Sequence, residues 1–291
     1  MDDAYAVDKR RVRRSFEAAA ASYDAAAVLQ DEICRRMLAR LEYIKLAPAM
    51  VLDAGSGTGN AIRGLAERYP RARILALDLA LSMARRAQSR RSWWRSVLGR
   101  SGGVSAVCGD IEGMPFAAAQ TDLIWSNLVL QWVNEPARVF TEFQRVLRPG
   151  GLVMFSTFGP DTLKELRAAY GRADGRAHVH RFIDMHDIGD MLVKAGFADP
   201  VMDMECLTLT YAAVRDLMRD LKAIGARNAA RGRPEGLTGK SLLAYVERNY
   251  ETQRRDGRLP ATFEVVYGHA WKPQPRMTSD GRPIIPVKSL G

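Results

Sequence analysis

A chain of 291 residues, 47% hydrophobic and 26% charged, is long enough for one sizeable core and has the composition of a soluble globular protein. Its three cysteines, Cys34, Cys108 and Cys206, are dispersed and form no CxxC pair, which argues against a disulfide scaffold and fits a reducing compartment. A formal net charge of +10 leaves two readings, scattered surface arginines or an acidic partner such as nucleic acid, an anionic membrane or an acidic protein.

The four histidines, His178, His180, His186 and His269, sit in no metal-ligand spacing, so no metal is expected. The N-terminal stretch lacks a continuous apolar run and reads as no secretory signal. No segment is apolar for long enough to span a bilayer, and a cytoplasmic protein is expected.

Residues 8–45 read as two helices, the first with Val12, Phe16, Ala19, Ala20 and Tyr23 on one face and the second over about 27–43. Apolar strands and amphipathic helices then alternate. "AMVLDAG" is a strand and Ala61–Tyr69 a helix; "RILALDLA" is a strand and Leu81–Gln88 a helix; "GVSAVCGD" is a third strand. "TDLIWSNLVLQWV" is a strand running into a loop or helix, "EPARVFTEFQRVL" a helix with Pro136 near its start, and "GGLVMFSTF" a strand entered through the turn "RPGG".

Beyond residue 160, Thr162–Tyr170 and Met185–Lys194 are helical, the latter stopped by Gly196. "VMDMECLTLTY" alternates like a strand, and Val214, Leu217, Met218, Leu221 and Ile224 give the next helix one apolar face. A basic loop, "GARNAARGRPEG", a helix over about 240–254 and a last strand, "ATFEVVYGHAW", follow. The pattern predicts an α/β fold with a doubly wound, mostly parallel seven-stranded sheet. It divides into an N-terminal helical cap (1–45), a core (46–211), a helical insertion or lid between the last two strands (212–258), the last core strand (259–271) and a proline-bearing tail without regular structure (272–291).

The chemistry begins at "VLDAGSGTGN", Val51 to Asn60. A strand that ends in a glycine loop and opens a helix presents backbone N–H groups and a positive dipole end. The P-loop pattern is absent. The dinucleotide fingerprint would need a glycine where Asn60 stands, and Asp53 would repel a pyrophosphate. The same carboxylate suits a cationic ligand. S-adenosylmethionine, with its ammonium and sulfonium groups, fits the D-x-G-x-G-x-G formed by Asp53, Gly55, Gly57 and Gly59. Asp78 ends the second strand, where ribose hydroxyls would lie. Asp110 ends the third and precedes Ile111, a pair able to accept the adenine amino group and pack on the ring. Each acid taken alone is as readily a helix cap or turn residue.

The segments "VLDAGSGTG", "ILALDLA", "GDIEGMPF", "TDLIWSNLVLQWV" and "LRPGGLVMFST" resemble the successive motifs of class I S-adenosylmethionine-dependent methyltransferases, whose fold is Rossmann-like. "SFEAAAASYD", "FGPDTLKELRAAY", "HVHRF", "LMRDLKAIGARNAARGR", "LTGKSLLAY" and "GRLPATFEVVYGHAW" are similar to the BioC-type malonyl-acyl carrier protein O-methyltransferases of biotin synthesis. The resemblance then covers most of residues 10–271. It implies methylation of the free carboxylate of a malonyl thioester on acyl carrier protein, an ester that lets fatty-acid synthesis enzymes elongate the acid.

Leu79, Met83 and Asn127 join the expected cofactor-binding residues. Arg181, in "HVHRF", is the candidate docking group for the acceptor carboxylate, which arginine can hold bidentately; the alternative is an arginine paired with Asp184. Tyr23 and Trp132 are candidates to close over the methyl-transfer site, the alternative being core packing. Because acyl carrier proteins are acidic, Lys222, Arg227, Arg231 and Arg233 are candidate docking residues; the alternative is a solvated basic loop. No nucleic-acid-binding motif accompanies them.

The basic stretch "QSRRSWWRSVLGRSGG", with Trp93 and Trp94, departs from the family pattern; it would cover the sheet edge or touch a partner or membrane surface. The tail after Trp271 is also longer than the family's. Relatives of complex I assembly factors share the fold and similar segments. They supply the alternatives of an arginine hydroxylase or a non-catalytic assembly factor.

Overall fold

The computed structural model describes residues 6–90, 103–171, 176, 178–233 and 239–275. Trp93, Trp94 and the tail beyond residue 275 lie outside them. Seven strands form one sheet in the order β3-β2-β1-β4-β5-β7-β6: β1 Met50–Ala54, β2 Arg73–Asp78, β3 Val104–Cys108, β4 Thr121–Asn127, β5 Leu147–Phe158, β6 Ala198–Tyr211 and β7 Leu259–Trp271. All pairings from β3 to β5 are parallel; β7 runs antiparallel to both β5 and β6. The strand order reverses direction at β1, beside β4, and in such sheets the crevice beyond the strands' C-terminal ends is the ligand position.

The helices are α1 Lys9–Ala19, α2 Tyr23–Ala26, α3 Val28–Arg40, α4 Asn60–Arg68, α5 Leu81–Ser89, α6 Pro136–Val146, α7 Lys164–Tyr170, α8 Met185–Lys194, α9 Val214–Ala223 and α10 Lys240–Glu251. Both faces of the central strands are covered, which is why their sequences read as near-continuous apolar runs. Val51, Ile74 and Leu123 point to one face, against Ile33 and Met37 of α3 and Leu65 of α4. Leu52, Ile124 and Val153 point to the other, against Phe140 and Phe143 of α6 and Leu192 of α8. Truncating a fully buried ring such as Phe143 to alanine removes about 3–5 kcal/mol of packing.

Local signals place the helix starts. Asp8 caps α1, its carboxylate accepting from Arg11 N–H (3.1 Å), and Asp184 caps α8 by accepting from His186 N–H (2.8 Å). Pro136 stands in the first turn of α6, where its missing N–H costs nothing. Two expectations are corrected. The first helix ends at Ala19, because Ser22 N–H and Oγ both donate to the Ala19 carbonyl (3.0 and 3.2 Å), and Tyr23 opens a separate single turn. "RPGG" is no mere turn into β5. The strand starts at Leu147, and Gly150, at φ +78°, donates to the Lys272 carbonyl (2.8 Å), carrying the pairing past the end of β7.

The insertion between β6 and β7 contains α9 and α10. The described N-terminus reaches it through a short antiparallel bridge. Val7 pairs with Ala230, Asp8 N–H donates to Ala229 O and Arg231 N–H to Ala6 O, both at 2.8 Å. Asn134, before α6, closes the other side by exchanging two hydrogen bonds with Val7. No helix among the described residues is long and apolar enough to cross a membrane.

Candidate functional site

Beyond the C-terminal ends of β1, β2 and β4 lies an open cavity of about 230 Å³. Its floor is the glycine loop. Gly55 is at φ +80°, where a Cβ would stand 2.3 Å from Val129, so no other residue fits between loop and β4. Gly59 is at φ +84° and would drive a Cβ to 2.9 Å from the α5 backbone at Ala87; it serves helix packing and is not part of the cavity lining. A Cβ on Gly57 would meet nothing within 4 Å, so the loop is open to the cavity there.

One carboxylate, Asp78, lies at this floor, and a second, Asp53, is buried behind it. Asp78 accepts from Gly57 N–H on one oxygen and Ala80 N–H on the other, each at 2.8 Å. Burial nevertheless pushes its acid up to about 6, the two hydrogen bonds only partly opposing. Asp53, at the end of β1, is 2% exposed, and its Oδ2 has no hydrogen-bond partner. Burial, then the Asp78 charge, push it up to about 8. Asp53 does not itself line the cavity and lies near Cys34 of α3, whose thiol burial and the Asp53 charge raise. A positive charge in the cavity would relieve this crowding. The donor set therefore fits a cationic ligand and disfavours an anionic one.

Leu79, Asp110, Ile111 and Asn127 line the cavity, as does Asp78. Asn127 is held at both ends, accepting from Ser156 Oγ (2.7 Å) and donating to Gln30 O (3.3 Å). Met83 is corrected: it is fully buried, packs with Ala20 and Ala80 beneath Phe16 and Tyr23, and does not reach the cavity. Asp110 has a partner that sequence reasoning missed. Lys9 of α1 reaches across to its Oδ2 (2.5 Å) and to Glu112, tying the cap to the end of β3.

The opposite wall is aromatic and apolar. Tyr23 is half-buried in it, and burial together with the nearby Asp78 charge raises its phenol. Trp132, on a single 3-10 turn (Leu130–Trp132), stands edge-on between Phe16 and His180, with ring centroids 5.4 Å away on each side. Burial lowers the His180 pKa and so keeps the ring neutral; its Nε2 accepts from Ala229 N–H (3.4 Å). His180, Gln131 and Asn228 supply polar edges, and Leu221 and Ile224 of the insertion complete the apolar side.

Arg181 is exposed and not part of this lining. It lines an adjoining pocket with Asn134 and Thr157, and the two spaces share Gln131, Val133, Phe158, His180 and Phe182. Asp184 is engaged by His186 (2.7 Å) as well as by the α8 cap. Of the candidate docking residues, Lys222, Arg227 and Arg231 are exposed. Arg233 is half-buried and donates to the Ala230 carbonyl (3.0 Å). Among the described residues no cluster of side chains could hold a metal ion.

Comparison with known proteins adds the family. Residues 52–155 match the model described as "Methyltransferase domain". The malonyl-[acyl-carrier protein] O-methyltransferase of Gallionella capsiferriformans is 58% identical over 281 residues, 97% of this chain and 97% of that protein. The protein of the same name from Nitrosospira multiformis is also 58% identical, over 93% of this chain and 91% of its own. Among solved structures, a putative methyltransferase of Bacillus halodurans superposes with a TM-score of 0.56 at 19% identity, covering 81% of this chain and 99% of its own. Phosphoethanolamine N-methyltransferase 2 of Haemonchus contortus, solved with S-adenosyl-L-methionine, gives 0.51 at 18% identity, over 82% of this chain and 53% of its own. Both structural likenesses speak for the fold.

Proposed function

Since the chain belongs to the malonyl-[acyl-carrier protein] O-methyltransferase family, we propose that it methylates the free carboxylate of a malonyl thioester carried on acyl carrier protein, with S-adenosylmethionine as donor, in biotin synthesis. The observation that carries the reading is the division of the cavity into a crowded acidic floor and an apolar, aromatic wall. A sulfonium-bearing donor answers the first, and the apolar character of the second suits a small acyl thioester. When bound, S-adenosylmethionine supplies an electrophilic methyl group.

The residues then divide the work. Asp78 holds ribose hydroxyls, Asp110 and Ile111 take the adenine, and the acidic floor favours the cationic end. Asp53 acts from behind the floor through its charge. Tyr23 and Trp132 wall off the transfer site and exclude water from it. A malonyl carboxylate is already ionised at neutral pH, so no general base is required. The task is desolvation and alignment, which can supply much of the barrier reduction. Among the described residues that line the cavity, Lys9 is the one lysine or arginine, and it serves two carboxylates. Arg181, across the wall shared through His180 and Phe182, is the anion anchor we propose for the acceptor.

Lys222, Arg227 and Arg231 would meet the acidic carrier protein. The half-buried Arg233 would act through its own loop. The assembly-factor alternatives lose their footing, because near-full-length identities of 54–58% attach to carboxyl methyltransferases.

The test is mass spectrometry of malonyl-acyl carrier protein incubated with enzyme and S-adenosylmethionine, with acetyl-acyl carrier protein as a control that has no free carboxylate. One methyl gained by the malonyl species alone is expected. No gain, with cofactor binding confirmed separately, would move the reaction to a different acceptor.

A further inference from the structure

The charge on α1 is placed against the helix's own interest. The helix opens Lys9, Arg10, Arg11, with no acid in its first turn, although a helix N-terminus carries partial positive charge and favours carboxylates there. Arg13 and Arg14 follow one turn on. Lys9 is compensated by Asp110 and Glu112, and Arg13 faces Glu17 at 3.8 Å. Arg10, Arg11 and Arg14 are exposed and form no ion pair among the described residues. A helix that sets four arginines near its start, against the dipole and mostly without partners, gives up local stability, and such departures from local consistency mark functional surfaces.

The helix geometry separates this charge from the cavity. Lys9, Val12 and Phe16 lie on one side at helical spacing and line the cavity. Arg10, Arg11 and Arg14 fall within an arc of about 100° on the opposite side. The bridge between Val7 and Ala230, with Arg231 N–H donating to Ala6 O, ties the start of α1 to the loop of the insertion, which packs on the inward side of the helix through Ala229 and leaves the arginine face outward.

We propose that the outer face of α1, through Arg10, Arg11 and Arg14, is a surface that receives the acidic carrier protein, seated on the cap that roofs the active cavity. The proposal rests on the carboxyl-methyltransferase reading above. An anionic membrane fits less well. The apolar side of α1 is spent inward on Val7, Ala229 and Trp132, leaving no apolar face to insert. A carrier protein needs only the complementary charge, which mainly accelerates encounter and selects the partner.

The experiment compares wild type with the triple variant Arg10→Glu, Arg11→Glu, Arg14→Glu, which gives the helix the first-turn acids it lacks and so is expected to fold. Three readouts are taken: kcat/KM on malonyl-acyl carrier protein, kcat/KM on the malonyl thioester of N-acetylcysteamine, and binding of fluorescently labelled acyl carrier protein by anisotropy. At low salt the variant should lose about 10- to 100-fold on the carrier-borne substrate, mostly in KM, and bind the carrier correspondingly more weakly. The small thioester should turn over unchanged. The difference should shrink at about 0.5 M salt, where charges are screened within a few ångströms, and the triple lysine variant should keep near-wild-type rates.

An equal loss on both thioesters, or no loss on either, would overturn the proposal. So would wild-type binding to anionic vesicles that the variant loses while its carrier kinetics stay intact, which would assign the face to membranes. Wild type inactive on both thioesters would strike the functional reading beneath. The anisotropy titration would still decide the surface.

Discussion

The two walls of the cavity are built by different means. On the cofactor side, every expected contact that lines the cavity sits at a strand end or in the loop after it, and the backbone does much of the holding. Asp78 is fixed by Gly57 and Ala80 N–H groups, and the loop itself by Gly55 and Ser56 N–H groups donating to Leu77 O. On the acceptor side, Phe16, Trp132, His180 and Ala229 come from four separate segments and meet through rings and single hydrogen bonds. A wall held by backbone tolerates little change in conformation but isolates each side chain's role. A wall held by side-chain packing spreads its role over several residues. The two should therefore fail differently: lesions of the first should strike cofactor affinity, lesions of the second the acceptor.

The largest separation is expected from Asp78→Ala. It removes the proposed ribose acceptor and leaves the Gly57 and Ala80 N–H groups without their partner. Hydrogen bonds to a charged group contribute about 1.5–3 kcal/mol each, so losing a pair to ribose should weaken S-adenosylmethionine by about 100-fold or more. Titration calorimetry reads this directly. Carrier-protein binding should be unaffected, and unchanged cofactor affinity would break the assignment of this wall.

The same contrast explains what could be read in advance. The glycine loop and strand-end acids were legible because they answer backbone demands: φ values few residues adopt, and a carboxylate beside a loop that otherwise suits anions. Spacing is least informative at Asp53, Gly59 and Met83. Spacing places these residues near the cofactor but cannot say which side of the wall they face, and the structure puts all three in its support. The strands were legible from apolar runs, whereas the break at Ala19 depends on Ser22, and the extension of β5 on pairing with the chain past β7. Lys9 meeting Asp110, and Val7 meeting Ala230, join residues far apart in sequence with no local sign. The one readable hint was the string of basic residues at a helix start, which helix electrostatics alone would not place there.

Arg181→Ala probes the acceptor wall with a smaller expected effect. If its guanidinium anchors the malonyl carboxylate across the shared wall, KM for the malonyl thioester should rise about tenfold or more, with S-adenosylmethionine affinity held constant, since loss of a charge-assisted contact is worth about 1.5–3 kcal/mol. Steady-state kinetics beside cofactor titration separates the cases. Parallel loss of both affinities would make the arginine a support of the fold between β5 and α8, and the carboxylate would then be held by neutral donors such as Gln131 and Asn228.

The gentlest test changes only pH and returns to the acidic floor. Asp53 and Asp78 have acids raised to about 8 and about 6, chiefly by burial. For groups raised in the folded state, the stabilising form is the protonated one. It is fully present below the ordinary carboxylate range and is lost as pH climbs through about 6 and then about 8, so the free protein should lose stability across that window. A cationic ligand reverses the sign, because it pairs with the ionised forms and expels the protons. Its affinity should therefore rise with pH between roughly pH 5.5 and 7.5, by at least the roughly fourfold that ionising Asp78 alone gives. Calorimetry in two buffers of different ionisation enthalpy should register net proton release. S-adenosylhomocysteine, which lacks the sulfonium charge, should show a shallower dependence. Equal slopes for the two ligands would mean that the floor does not sense the sulfonium. A flat profile for both would mean that the carboxylates are already ionised in the free protein, and that the crowding of Asp53 against Asp78 is relieved by something other than the cofactor.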